Sequence, residues 1–290
     1  MTFIYILVSG IQIGSIYALV ALGYSMVYGI IKLVNFAHGD IIMVGAYCTW
    51  YLMSRYSIPA VPAAVVSVFF CAALGVLIEK IAYKPLRGSG RLSLLVTAIG
   101  VSLFLQNAVQ LMFKADPRMF TNFFTGTVTI GDRQFSSATT ATIFISLIIM
   151  AALTLLVKFT SIGKAMRAVS EDSETAQLMG INVNNTISFT FAVGSGLAAI
   201  GSVFFCCSYS QIQPTMGSML GLKAFVAAVL GGIGSIPGAM VGGLCIGIGE
   251  SITKGFISSK LTDAVIFGIL IIVLLIKPSG IFGRGFGEKV

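Results

Sequence analysis

Ile162-Gly-Lys-Ala-Met-Arg-Ala-Val-Ser-Glu-Asp-Ser-Glu-Thr-Ala-Gln-Leu-Met-Gly-Ile181 is the one sizeable, highly polar stretch in the second half of an otherwise oily chain. It carries Lys164, Arg167, Glu171, Asp172 and Glu174, and long apolar runs flank it on both sides. Its ends read as helix ends. Ser170 is placed to cap an N-terminus, which puts Glu171, Asp172 and Glu174 in the first turn, where the helix dipole favours negative charge. Gly180 falls where a left-handed C-terminal residue is wanted. Ala165, Ala168, Val169, Ala176 and Met179 recur at helical spacing and give one modestly apolar face. A helix of about nine residues is about 13 Å long and marginal alone in water, so the rest of the chain or a second protein must hold it.

The flanks set the class. Hydrophobic residues fill 57% of 290 positions and charged ones 10%, with a mean hydropathy of +0.98. A soluble domain is about 25% charged. The chain has too little polar surface to coat a water-soluble globule, and it reads as an all-α integral membrane protein, one transmembrane domain over residues 1–290. The net charge of +8 is then expected from Lys and Arg held on the cytoplasmic side. No basic run interleaved with aromatics points to nucleic acid. Cys48, Cys71, Cys206, Cys207 and Cys245 lie in apolar runs without Cys-x-x-Cys spacing and read as buried, reduced thiols. The first 23 residues lack a basic n-region and a convincing cleavage site, so they read as a retained helix, not a signal peptide.

Spans need about 20 apolar residues. Phe3–Ile30 is the first, interrupted at Lys32-Leu-Val-Asn-Phe-Ala-His-Gly-Asp40. Ile41–Met53 follows and is short. A third starts at Pro59/Pro62 and runs to Ile81, before the basic, Gly-rich Lys84–Arg91 loop. Leu92–Met112 is the fourth. A mixed-charge loop, 113–138, contains the alternating Thr127-Val-Thr-Ile130, which suggests a small hairpin. Ala141–Val157, Ile187–Tyr209 and Ala264–Ile276 are further spans. Leu220–Leu230 is too short to cross; with Ala239–Ser251 it suggests a re-entrant hairpin around Gly231-Gly-Ile-Gly-Ser-Ile-Pro-Gly238. Irregular backbone at membrane depth survives only when buried in protein or lining a wet cavity. The breaks at 35–40 and 231–238 suggest an internal repeat and a pathway near the midplane. Seven to eight transmembrane helices are expected.

With the N-terminus outside, Lys32, Lys80, Lys84, Arg87, Arg91, Lys158, Lys164, Arg167, Lys277, Arg284 and Lys289 fall inside. Arg55, Lys114, Arg118, Arg133, Lys254 and Lys260 fall outside, and Lys223 is unassigned. The basic excess favours this orientation. It places 159–185 in the cytoplasm, within reach of a soluble partner, and 113–138 outside. The GxxxG-type pairs Gly10/Gly14, Gly238/Gly242 and Gly243/Gly247 let helices approach closely; packing within one subunit is the simpler reading than a dimer seam.

No Gly-x-x-x-x-Gly-Lys-Ser/Thr occurs, so the chain shows no phosphate cradle for ATP. One histidine rules out a His-Glu-x-x-His zinc site, and an intramembrane enzyme is a poor reading. Asp40, Glu79, Glu250 and Asp263 sit near span ends, where caps and interfacial charges are ordinary. Asn35, His38 and Asp40 admit two readings, a polar helix start or contacts for a polar solute. Gln106 and Asn107 lie mid-span, where an amide is costly unless bonded; interhelical bonding is the first reading and solute contact the second. Gly231, Gly232 and Gly234 are candidates for the same path.

Glu174-Thr-Ala176-x-x-x-Gly180 resembles the Glu-Ala-Ala-x-x-x-Gly signature of ABC-importer permeases. Gly14-Ser-Ile-Tyr-Ala-Leu-Val-Ala-Leu-Gly23, Val34-Asn-Phe-Ala-His-Gly-Asp40, Gly163-Lys-Ala-Met-Arg-Ala-Val169 and Gly221-Leu-Lys-Ala-Phe225, with Gly231–Ser235 and Gly238, are similar to branched-chain amino acid permeases of the LivH type. The likeness runs from about residue 5 to 283. Thr175 departs from the general motif, which has Ala there. The resemblance implies a translocation subunit, not an enzyme, in a bacterial cytoplasmic (inner) membrane. It implies a coupling helix in 164–180 that docks into an ATPase, with Lys164, Arg167, Glu171, Asp172, Glu174, Ala176 and Gly180 at the contact. It implies a sister permease, two ABC ATPase subunits carrying ATP and Mg, a soluble extracytoplasmic binding protein, and no cofactor on this chain. Leucine, isoleucine and valine are the family's usual solutes; urea and short amides move through similar permeases. A carrier or channel without ATPases is the rival class.

Overall fold

Thirty residues without a proline, Thr2–Ile31, form α1. In the computed structural model, which describes residues 2–121, 123, 124, 126–130 and 133–283, α1 is the post around which the chain is wound. α2 (His38–Tyr56) and α3 (Ala60–Ile78) follow, α3 starting just after Pro59. α3 ends in a π turn, Glu79–Tyr83, where Pro85 withholds an N–H and its ring crowds the carbonyl four residues back. α4 (Arg91–Phe113) leads to β1 (Arg118–Met119) and to an antiparallel hairpin of β2 (Thr127–Ile130) and β3 (Arg133–Ser136), the hairpin expected at Thr127. α5 (Ser137–Phe159), α6 (Ser161–Glu171) and α7 (Ser173–Leu178) come next. α8 (Val183–Tyr209), β4 (Gln211–Ile212, paired with β1), α9 (Met216–Gly231), α10 (Ile236–Phe256) and α11 (Thr262–Ile276) complete the chain.

Among the described residues seven helices are long and apolar enough to cross a membrane: α1, α3, α4, α5, α8, α10, and α11 with the turn before it. α2 and α9 are the broken ones. α1 ends at Lys32 and α8 at Ser210, both left-handed at φ 59° and 53°. Seven residues on from each stand Gly39 and Gly217, side by side near the starts of α2 and α9. A Cβ on Gly39 would lie 2.6 Å from the Gly217 carbonyl oxygen. Met43 approaches Gly217 as Gly221 approaches Gly39. α1 packs along α10 as α8 packs along α3, and α1 crosses α8 antiparallel, Gly23 facing Gly194 and Val20 facing Gly201. The chain is therefore two inverted halves, α1–α4 and α8–α11, joined by α5–α7, which is the repeat expected from the paired breaks.

The re-entrant element is not where it was expected. α10, at 21 residues, is long enough to cross. The 231–238 turn lies at the bundle end beside Gly29 of α1, where Gly232 and Gly234 take positive φ. Its carbonyls at Leu230 and Gly231 accept from the amides of Ile281 and Phe282. α9 instead starts inside the bundle, with Met216 and Gly217 buried and Gly217 against Gly39 of α2. Hydropathy found a short helix but carries no information about the depth at which it begins.

The glycine pairs serve this one chain. Gly10 and Gly14 pack on Ile248 and Leu244, and Gly243 and Gly247 on Ala18 and Gly14, which brings α1 and α10 backbones together. Cys245 lies on the opposite side of α10 and is exposed, against the expectation of burial; Cys71, Cys206 and Cys207 are buried. α3, α4, α5 and α11 turn Phe69, Phe104, Ile148 and Leu275 outward, the surface a bilayer would cover. Of the basic residues used for orientation, Arg284 and Lys289 lie outside the described residues.

Candidate functional site

The polar stretch folds as two helices, not one. Thr160 caps α6, its Oγ1 accepting from the Gly163 amide at 3.1 Å. Gly163, Met166 and Val169 are buried, and a Cβ on Gly163 would collide with the Leu156 and Val157 carbonyls. The Arg167 guanidinium donates back to the Val157 carbonyl, a cation on the carbonyls at the end of α5. α6 stops at Asp172, which is extended at φ −153°. Asp172 Oδ1 accepts from the amides of Glu174 (2.9 Å) and Thr175 (3.1 Å), and Oδ2 from the Thr175 hydroxyl (2.8 Å). The cap of the second helix is thus Asp172, not Ser170, whose hydroxyl bonds the Arg167 carbonyl; a carboxylate offers two acceptor oxygens where serine offers one. α7 has six residues, fewer than the nine expected. Gly180 closes it at φ +84°, with its amide on the Gln177 carbonyl and that of Ile181 on the Ala176 carbonyl.

Ala176 is buried; Lys164, Arg167, Glu171, Asp172, Glu174 and Gly180 are exposed. Met179 does not join the apolar face. It is 79% exposed beside Leu178 at 87%, leaving a bare apolar tip on a charged rod.

At the start of α2 a cavity of about 210 Å³ is lined by Tyr24, Gly39, Asp40, Ser102, Ser218 and Phe225, among others. The Gln106 amide donates to Asp40 Oδ1 at 2.8 Å and to Ser218 Oγ at 3.0 Å, which ties α2, α4 and α9 at this wall. Gln106 is therefore interhelical. Asn107 is exposed and donates to the Leu103 carbonyl of its own helix. Asn35 is buried and accepts from the Tyr83 hydroxyl at 2.7 Å, while its Nδ2 has no partner among the described residues. His38 stands edge-on behind Tyr24, ring centres 4.5 Å apart. It leans toward the Val20 carbonyl, but Nε2 has no partner at hydrogen-bond geometry among the described residues. Asn35 and His38 back the wall without lining it. Gly231, Gly232 and Gly234 lie apart, at the α1 end of the bundle.

A larger cavity, about 530 Å³, opens toward the opposite end, where α8 and α10 finish. Tyr17, Tyr209, Gln213, Lys223, Glu250 and Lys254 are on its wall, and Ser218 borders both cavities. Glu250 is 1% exposed. Its Oε2 accepts from the Tyr17 hydroxyl at 2.6 Å, and Oε1 from Lys254 at 2.6 Å and Lys223 at 3.3 Å. Lys223 also pairs with Asp263 at 2.8 Å. A buried carboxylate persists only with such partners. The span-end reading holds for Asp263, half-exposed in the first turn of α11, and fails for Glu250. It fails also for Glu79, fully buried, which accepts from Ser188 at 2.5 Å and pairs with Arg87. The available signals were the Glu250/Lys254 spacing on one helix face and Lys223 alone in an apolar run.

A family model described as "Branched-chain amino acid transport system / permease component" matches residues 6–274. The chain is 42% identical to the high-affinity branched-chain amino acid transport system permease protein BraD of Pseudomonas aeruginosa, over 98% of this chain and 97% of that one. It is 41% identical to LivH of Escherichia coli K12, over 97% and 96%. It is 28% identical to the probable branched-chain amino acid permease LivH of Methanocaldococcus jannaschii, over 96% and 92%. No solved structure matches. A match that runs from α1 into α11 takes in both inverted halves and the rod between them, and the chain belongs to the branched-chain amino acid transport system permease family.

Proposed function

We propose that this chain is the membrane-spanning subunit of an ATP-driven importer of leucine, isoleucine and valine in a bacterial cytoplasmic membrane. The α6–α7 rod is its handle for a separate ATPase. The bare Leu178–Met179 tip beside the charges of Glu171 and Glu174 carries this reading: an exposed apolar patch rimmed by polar groups marks a protein contact. The 159–185 segment is cytoplasmic and 113–138 extracytoplasmic. The working assembly adds a related permease, two ATPases that carry ATP and Mg, and a binding protein that delivers the amino acid. This chain contributes no cofactor.

Residues Asp40 and Gln106, with Ser218, border the translocation path; Asn35 and His38 support its wall, and Gly231, Gly232 and Gly234 form the connection at the cytoplasmic end. Nucleotide binding biases the rod between two positions, and the inverted halves respond as a two-state element. The test is Glu174→Lys in the assembled transporter. ATP hydrolysis stimulated by the loaded binding protein and leucine uptake should both be lost while the chain inserts normally. Unchanged uptake would favour a carrier that works without ATPases.

A further inference from the structure

The larger cavity holds charged groups among apolar and neutral polar wall residues, and the unused valences of the charged groups differ in kind. A lysine ammonium has three donors. Lys254 spends one on Glu250 and one, at 3.5 Å, on the Tyr209 hydroxyl. Lys223 spends one on Glu250 and one on Asp263. Among the described residues each keeps a third donor unspent, and both lysines line the cavity. Glu250 cannot receive a solute. Three donors already occupy it, and its side chain is 2% exposed, against 12% for Lys223 and 34% for Lys254. Asp263 is not on the wall. The charge open to an incoming molecule is therefore positive only. Phe205, Met216, Met219 and Leu220 line the same cavity, an apolar surface next to two free ammonium donors.

Resting on the importer reading, we infer that this cavity is a carboxylate subsite: Lys223 and Lys254 take the α-carboxylate of the amino acid while its aliphatic side chain lies on Met219 and Leu220. Charge-assisted N–H···O bonds in a partly dry site are the strong kind. Glu250 and Tyr17 act as positioning residues, fixing the two ammonium groups. The site reads the carboxylate rather than the α-amine, because among the described wall residues no acidic oxygen is open to that group and only neutral acceptors such as those of Gln211 and Gln213 remain. A neutral amide such as urea offers a carbonyl oxygen but no negative charge, and so binds the ammonium donors more weakly.

The experiment uses the assembled transporter in proteoliposomes with Thr215→Cys, a cavity-lining position outside the charge cluster. Maleimide modification is followed by mass spectrometry of the peptide containing residue 215. Leucine and 4-methylpentanoate, a carboxylate without the amine, should slow modification at similar concentrations. Leucinamide, which lacks the carboxylate, and urea should not. In Lys254→Gln and Lys223→Gln backgrounds the half-protecting concentration should rise tenfold or more, and Lys254→Arg should restore it. Equal protection by leucinamide, or protection that survives both glutamine substitutions, overturns the inference. If a lysine variant fails to fold, the analogue series on the intact cluster still decides. ATP-driven leucine uptake without this protection sinks the subsite alone; protection without ATP-driven uptake sinks the importer alone.

Discussion

Replacing Gly180 tests whether the shape of the rod matters apart from its charge. Gly180 holds φ +84°, and a Cβ there would meet nothing within 4 Å among the described residues. Crowding adds nothing, so the cost of a side chain is conformational. For an L-residue forced into this region it is about 1–2 kcal/mol, with asparagine the mildest. α7 has six residues and little cooperative reserve. The Ala176 carbonyl receives the Ile181 amide only because the chain turns left-handed at Gly180. A loss of one to two kcal/mol changes an equilibrium by roughly 5- to 30-fold. Gly180→Ala should therefore lower binding-protein-stimulated ATP hydrolysis and coupled leucine uptake by up to that factor. Gly180→Val should be worse, because a β-branched residue at positive φ is a genuine outlier. Gly180→Asn should retain most activity. The amount of inserted protein should not change, since α7 is mostly exposed and contributes little to the bundle. Equal coupling for glycine, alanine and valine, or an asparagine variant as poor as valine, would refute the reasoning.

Asp172→Ala removes three hydrogen bonds at the α6–α7 corner and should cost about 0.5–2 kcal/mol of local stability, read as faster amide exchange over 173–178; Asp172→Asn should largely preserve it. Tyr17→Phe leaves the ring but strips Glu250 of a donor at 2.6 Å; about 1.5–3 kcal/mol is expected for a bond to a charged group, seen as a lower thermal midpoint of the purified complex. Gly39→Ala forces the starts of α2 and α9 apart and should cost at least about 1–3 kcal/mol, read as a loss of monodisperse protein after solubilisation. Gly268→Ala on α11, where a Cβ meets open space, should be neutral or mildly stabilising.

What the sequence disclosed follows from what each signal encodes. Spans such as α5 and α8 announce themselves because lipid demands long apolar runs, and the polar rod stands out against them for the same reason. Gly180 was readable because a helix end has its own chemistry. The switch from Ser170 to Asp172 was not, since both residues are good caps and only tertiary packing of Met166 and Val169 sets where α6 ends. Arg167 reads as a docking charge, and the return of α6 against α5 also gives its guanidinium the Val157 carbonyl, a contact with no local signal in the sequence. Glu250 reads as an ordinary span-end charge and is instead the buried centre of an ion-pair cluster. Its position near a span end is visible in the chain, but its partner Lys223 arrives from α9, and only the depth at which α9 starts brings the two together. His38 admits two readings from the sequence, a polar helix start or a solute contact, and only the fold shows that it sits behind Tyr24, itself on the wall of the smaller cavity.

The inverted repeat explains why the rod is placed where it is. Each half buries a carboxylate in its third helix, Glu79 in the π turn that extends α3 and Glu250 in α10. Each of these accepts a hydroxyl from the first helix of the other half, Ser188 of α8 and Tyr17 of α1. The halves are thus pinned to each other at opposite ends of the bundle, and they cross between the two pins at Gly39 and Gly217, where bare backbone touches bare backbone. Neither carbonyl nor Cα there leaves room for a Cβ, so the crossing holds the two halves at their closest approach. α6 packs against α5, α1 and α8 at once, so the rod touches the first helix of each half.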